Sequence, residues 1–153
     1  MADELRLPAL IFPPMPAKVQ TQDGRVTIYD AVRRIRVALT PEEWVRQHCI
    51  HWLTEHRHYP IGRCSVERTI TGTGQRYDVM VVDAALRPFL LVECKSYDVK
   101  VTPETMRQSA WYNLTLQAPY ILLTNGRVAY CAAVNAEGET TLLDDIPVYP
   151  TVS

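Results

Sequence analysis

The sequence predicts an α/β domain with a central mixed sheet flanked by helices, in the order helix, three strands, helix, two strands. Three observations carry that prediction. A helix-start signal stands at Thr40-Pro41-Glu42-Glu43, and three β-branched apolar runs follow between Cys64 and Glu93. An Asn125-Gly126 turn dipeptide then lies between two further apolar runs.

Residues 1–39 form a leading arm that packs on the body. Pro8, Pro13, Pro14 and Pro16 keep its first part extended, Asp23-Gly24 marks a turn, and Leu10, Ile11, Phe12 and Met15 are apolar enough to dock. Arg25–Tyr29 reads as a short strand, with Asp30 as a helix cap before 31–35. The core spans 40–135. Thr40 caps its first helix, Pro41 occupies the first turn, and Glu43, three residues past the cap, completes a capping box. The helix runs to about His56 and buries Val45, Cys49, Trp52 and Leu53. Glu42 shares the phase of Val45 and Cys49, whereas Glu43 lies off that stripe. A drift of one residue at the helix start would exchange the two.

Cys64–Ile70 is the first strand of the core, 71–74 a turn, Tyr77–Val82 the second strand and Phe89–Glu93 the third. Glu67 reads as a charge at the sheet edge, and Asp83 and Asp98 as surface or turn acids. A second helix starts at Pro103, and Tyr120–Leu123 with Val128–Val134 closes the sheet as a hairpin. Residues 136–153 read as a tail, extended through Asp144-Asp145 and Pro147.

The chemistry concentrates at the ends of the second and third core strands. Glu93 and Lys95 are two apart and project to one face, with Cys94 on the other. A buried face that holds an acid and a base must pair or coordinate them, because an unpaired charge removed from water costs several kcal/mol. Asp78 and Glu93 on a divalent cation, with Lys95 beside them, is the simplest arrangement. Magnesium suits it, since that ion takes oxygen ligands, keeps several waters and is held by one or two carboxylates.

Asp78 followed by Glu93-Cys94-Lys95 resembles the D…E-x-K signature of the PD-(D/E)xK nucleases, with Tyr77 where the usual proline stands. The context narrows the likeness. Thr40 to Gln47 upstream, and Gln108 to Asn113 and Leu123 to Gly126 downstream, resemble the N-terminal nuclease domain of type I restriction endonuclease R subunits over roughly Leu39 to Tyr130. The resemblance implies a restriction-endonuclease-like αβββαβ core and metal-dependent hydrolysis of DNA phosphodiesters. It implies Asp78 and Glu93 as ligands of Mg²⁺ (Mn²⁺ as substitute), with or without the Cys94 carbonyl. It further implies Glu42 orienting a metal-bound water or helping a second ion, and Lys95 acting as base or as electrostatic stabiliser. Gln108 and Tyr112, four apart on one helix face, lie beside the metal in similar nucleases and contact DNA. The motor of an R subunit is not carried over, because the chain holds no G-x-x-x-x-G-K-[ST] loop for ATP.

Composition fits this reading and limits it. With 153 residues the chain suits one domain, and its net charge of −1 argues against coating nucleic acid by bulk electrostatics. Local phosphate contacts then fall to candidates such as Arg33, Arg34, Arg36 and Arg46. The four cysteines are too far apart for a zinc knuckle or disulfide framework, and His48, His51, His56 and His58 lack a completing ligand set. Reduced thiols point to the cytoplasm, and no apolar run reaches a membrane span. Two other functions compete with DNA cleavage: a nucleic-acid-binding or assembly module that keeps the fold without cutting, and a core with a fortuitous Glu93–Lys95 ion pair. The partners expected are DNA, and a homodimer or a separate motor or specificity protein to place a second cut.

Overall fold

The computed structural model describes residues 7–69 and 76–151. Its main sheet has six strands in the order β4-β5-β6-β7-β8-β9, and a separate three-stranded sheet is formed by β1-β2-β3. In the main sheet β4 (Cys64–Thr69), β5 (Arg76–Val82) and β6 (Pro88–Cys94) form an antiparallel meander. Strand β7 (Tyr120–Thr124) lies parallel to β6, and β8 (Ala129–Val134) and β9 (Thr140–Leu143) continue antiparallel. The parallel step requires a crossover, which α2 (Pro103–Tyr112) provides.

Alternation along the strands divides the core into two layers. Leu90, Val92 and Cys94 of β6, with Val79 and Val81 of β5, face α1 (Pro41–His51) with its buried Val45, Cys49 and Ile50, and Leu53 just beyond it. Leu91, Met80 and Ile121 face Met106 and Ala110 of α2. Each apolar helix stripe thus covers one side of the sheet.

Helix α1 begins as expected, with the Thr40 side chain accepting from the Glu43 N–H at 3.0 Å. The reciprocal contact differs, because the Glu43 carboxylate turns to Arg33, Arg46 and Gln47. Beyond His51 the helix continues as a π-helical turn, Trp52–His56. The full box belongs to α2, where Thr102 and Thr105 cap each other.

Residues 7–39 hold more regular structure than an arm. Here β1 (Val19–Gln22), β2 (Arg25–Asp30) and β3 (Ile35–Ala38) pair as an antiparallel meander. Asp30 caps a turn rather than a helix: its Oδ1 accepts from the N–H groups of Val32 and Arg33, and the chain reverses into β3. The leading residues dock as their apolarity suggests, with Phe12 stacked near Trp52 (5.3 Å between centroids) and the Ile11 N–H bonded to the Gly126 carbonyl at 2.8 Å. Ile11 itself keeps its side chain exposed.

Residues 136–151 contribute β9 to the sheet. Past it, Tyr149 donates to the Val82 carbonyl at 2.7 Å and Arg57 pairs with Asp145 at 2.8 Å, so this stretch is pinned to the body. The turn at 71–74 and the end of the expected first strand, Ile70, lie outside the described residues. Among the described residues no helix is long and apolar enough to cross a membrane.

Candidate metal centre

Asp78 lies near the start of β5 and Glu93 near the end of β6, and the ladder that runs Val81↔Leu90 to Val79↔Val92 brings the two strand ends together. Glu93 and Lys95 occupy one face as the two-residue spacing requires, while Cys94 is buried on the other beside the α1 layer. A cavity of about 280 Å³ opens at these strand ends, lined by Glu42, Glu67, Asp78, Glu93 and Lys95 among others. Four of the residues singled out from the sequence, Glu42, Asp78, Glu93 and Lys95, therefore share one cavity.

Each is held by named contacts. Asp78 Oδ2 accepts from the Cys94 N–H at 2.6 Å, and Oδ1 accepts from Arg46 Nε at 2.6 Å. Lys95 Nζ lies 3.1 Å from Glu93 Oε1, and Ser109 of α2 donates its hydroxyl to Glu93 Oε2. Burial pushes the Asp78 carboxyl up to about 6, an effect that the Arg46 charge and the Cys94 N–H offset only in part.

Glu42 lines the cavity with its side chain half exposed, and Glu43 is buried away from it. Gln108 is exposed on α2 and does not line the cavity; Asn113, just past the helix, does. The side chain of Tyr112 lies outside the described residues.

Two residues enter the site against expectation. Glu67 is no simple edge charge: one oxygen each of Glu42, Glu67 and Asp78 lie within 4.8 Å of one another. Its backbone explains how. Glu67 has φ +48°, and the β4–β5 ladder passes from Val66↔Val79 to Arg68↔Tyr77 without it, so a local kink re-aims its carboxylate. Arg46, a candidate for phosphate contact, also lines the cavity but is engaged by carboxylates. Its side chain is 4% exposed, and its guanidinium contacts Glu42, Glu43, Glu67 and Asp78 at 2.6–2.9 Å. Burial works against its charge, but Asp78 and Glu43 outweigh that and raise its pKa. Arg33 is likewise taken up, by Asp30, Glu43 and Glu67. Only contacts across distant segments reveal these roles, and a strand-interior glutamate or a helix arginine carries no local signal of them.

Five carboxylates, from Asp30, Glu42, Glu43, Glu67 and Asp78, thus face two guanidiniums, with Glu93 and Lys95 a balanced pair alongside. The surplus is negative and its donors are all oxygen, which fits a hard divalent cation such as Mg²⁺. The histidines take no part in that acidic group. His48 Nδ1 contacts the Trp44 carbonyl at 2.9 Å instead. The four cysteines are free thiols, and burial pushes Cys64 up to about 11 and Cys131 up to about 12.

A mixed sheet between two helices, with acids and a lysine at the ends of its strands, is compatible with a nuclease-like α/β core. Residues 41–147 match the family model of the type I restriction enzyme R protein N terminus, and the chain belongs to that family. No curated protein matches the sequence.

Proposed function

We propose that this protein is a Mg²⁺-dependent DNA nuclease, or the nuclease subunit of a restriction-related system, that hydrolyses phosphodiester bonds. The single observation that carries this reading is the convergence of Asp78, Glu93 and Lys95 on one solvent-open cavity, with Glu42 at its rim. Family membership supports DNA as the substrate and a multi-subunit setting.

Asp78 and Glu93 would hold the ion. When bound, it would lower the pKa of a coordinated water and offset charge on the phosphate. Asp78 is prepared for this, because the Cys94 N–H fixes its carboxylate plane. Ser109 and Lys95 fix Glu93 from two sides, one oxygen each. Lys95 lies close enough to Glu93 to place its ammonium near a phosphate oxygen at the same ligand, where it would stabilise the developing negative charge. Glu42, on the helix side of the cavity, is positioned to accept a hydrogen bond from a water in it.

Plasmid nicking with and without Mg²⁺, for wild type and Asp78→Ala, tests the proposal. Magnesium-dependent nicking that Asp78→Ala abolishes is the expected result. Equal nicking by both proteins would overturn it, and metal-independent DNA binding without cleavage would favour a non-cleaving module.

A further inference from the structure

Arg46 Nη2 lies 2.9 Å from Glu42 Oε1, 2.9 Å from Glu67 Oε1 and 2.6 Å from Asp78 Oδ1. Those are the same three residues whose oxygens approach one another within 4.8 Å, as donors around one cation would. We infer that the Arg46 guanidinium is the resident cation of this second position, so that the centre takes a single divalent ion, on Asp78 and Glu93. This inference rests on the metal-centre reading above and specifies its stoichiometry.

The geometry leaves no room for both. A magnesium ion needs its oxygens at about 2.0–2.1 Å, and an ion within that distance of these three carboxylates would collide with a nitrogen already 2.6–2.9 Å from each. The guanidinium is also fixed in place. Its Nη1 donates to Glu43 Oε2 at 2.8 Å, and Glu43, 4% exposed, is held on its other oxygen by Arg33. Arg33 reaches Glu67 as well, at 3.2 Å, which ties α1, β4 and the turn after β2 to one another around the Arg46 position. An arginine cannot lose its proton, so this positive charge is permanent.

Centres with two metals hold their ions about 3.5–4 Å apart, so one carboxylate could serve both. Asp78 occupies that bridging place here. Its Oδ1 serves Arg46, and its other oxygen accepts from the N–H of Cys94, the residue that follows Glu93. Arg46 is accordingly a positioning residue: it sets the orientation of Asp78 and blocks the second ion.

Manganese binding to the full chain, followed by the electron paramagnetic resonance signal of free Mn²⁺, counts the ions directly. Wild type is expected to bind one Mn²⁺ per chain. Arg46→Met, which removes the charge and keeps similar bulk, is expected to bind two, and Mn²⁺ should raise its Tm more than that of wild type. Arg46→Lys restores a cation and should return the count to one. Two ions in wild type, or one ion in a folded Arg46→Met, would overturn the inference and leave the nuclease reading standing. No bound Mn²⁺ in wild type would overturn both. Should Arg46→Met not fold, the counts for wild type and Arg46→Lys decide alone, one ion in each supporting the inference and two in either overturning it.

Discussion

Asp78 carries the largest consequence at the scale of single residues. Because burial pushes its carboxyl up to about 6, it is half protonated near that pH in the metal-free protein, and a proton competes with the cation for the same oxygens. Mn²⁺ affinity should be flat above about pH 7 and fall roughly tenfold per pH unit well below 6, which calorimetric titrations between pH 5 and 8 would check. Stability moves oppositely. A carboxyl raised from 3.8 to about 6 by folding contributes stability below 3.8 that is lost as pH rises through 6, so metal-free wild type should lose ground to Asp78→Asn over that interval in urea melts. Lys95 gives a separate handle. It pairs with Glu93 at 3.1 Å, so Lys95→Ala should lower cleavage by roughly 10²–10³-fold, as loss of a charge aimed at the transition state does, without weakening Mn²⁺ binding. Single-turnover nicking set against Mn²⁺ titration separates the two effects.

At the scale of elements, local signals read well and long-range contacts did not. The Thr40 cap, the Asn125-Gly126 turn and the E-x-K strand each depend on residues a few positions apart, and each is found where the sequence puts it. Glu43 turned away from its cap because Arg33, ten residues upstream, and Arg46 offer it charged partners, and bonds to two guanidiniums outweigh one to a backbone N–H. Glu67 was opaque for a related reason. Its carboxylate reaches Arg33, 34 residues away, and Arg46, 21 residues away, through a backbone kink with no glycine to mark it. Of the small sheet only β2 is legible, as the strand expected at Arg25–Tyr29, because β1 is four residues long and exposed throughout and shows no alternation to detect. The hairpin between β7 and β8 yields an element-scale prediction. Gly126 has φ +80°, and a Cβ there would meet Leu10 at 2.8 Å and Val45 at 3.2 Å. Gly126→Ala should therefore cost about 1–3 kcal/mol in urea unfolding, from left-handed strain and overpacking together, and should speed proteolysis of the leading segment.

For the whole molecule, charge is the governing quantity. The formal net charge is −1, and two of the arginines, Arg33 and Arg46, are spent on carboxylates inside the fold. Those two are not available to DNA, and acids already outnumber the remaining bases. The isolated chain should bind duplex DNA weakly, and nicking should fall steeply between about 50 and 200 mM salt as phosphate contacts are lost. Nicking rates across that range check this, and tight binding that ignores salt would count against it.

The parallel pairing of β6 with β7 also dictates when the centre can exist. The Lys95 N–H is bonded to the Thr124 carbonyl at 2.8 Å, and the β6 edge that carries Glu93 is covered only by β7. On the ribosome, α1, β4, β5 and β6 emerge first, yet the end of β6 lacks its neighbour until residues 120–124 have cleared the exit tunnel and α2 has folded across. A nascent chain halted before that point holds every acid of the cavity but lacks the carbonyl that anchors the Lys95 N–H, so the last fixture of the site comes from a strand that contributes no side chain to the cavity.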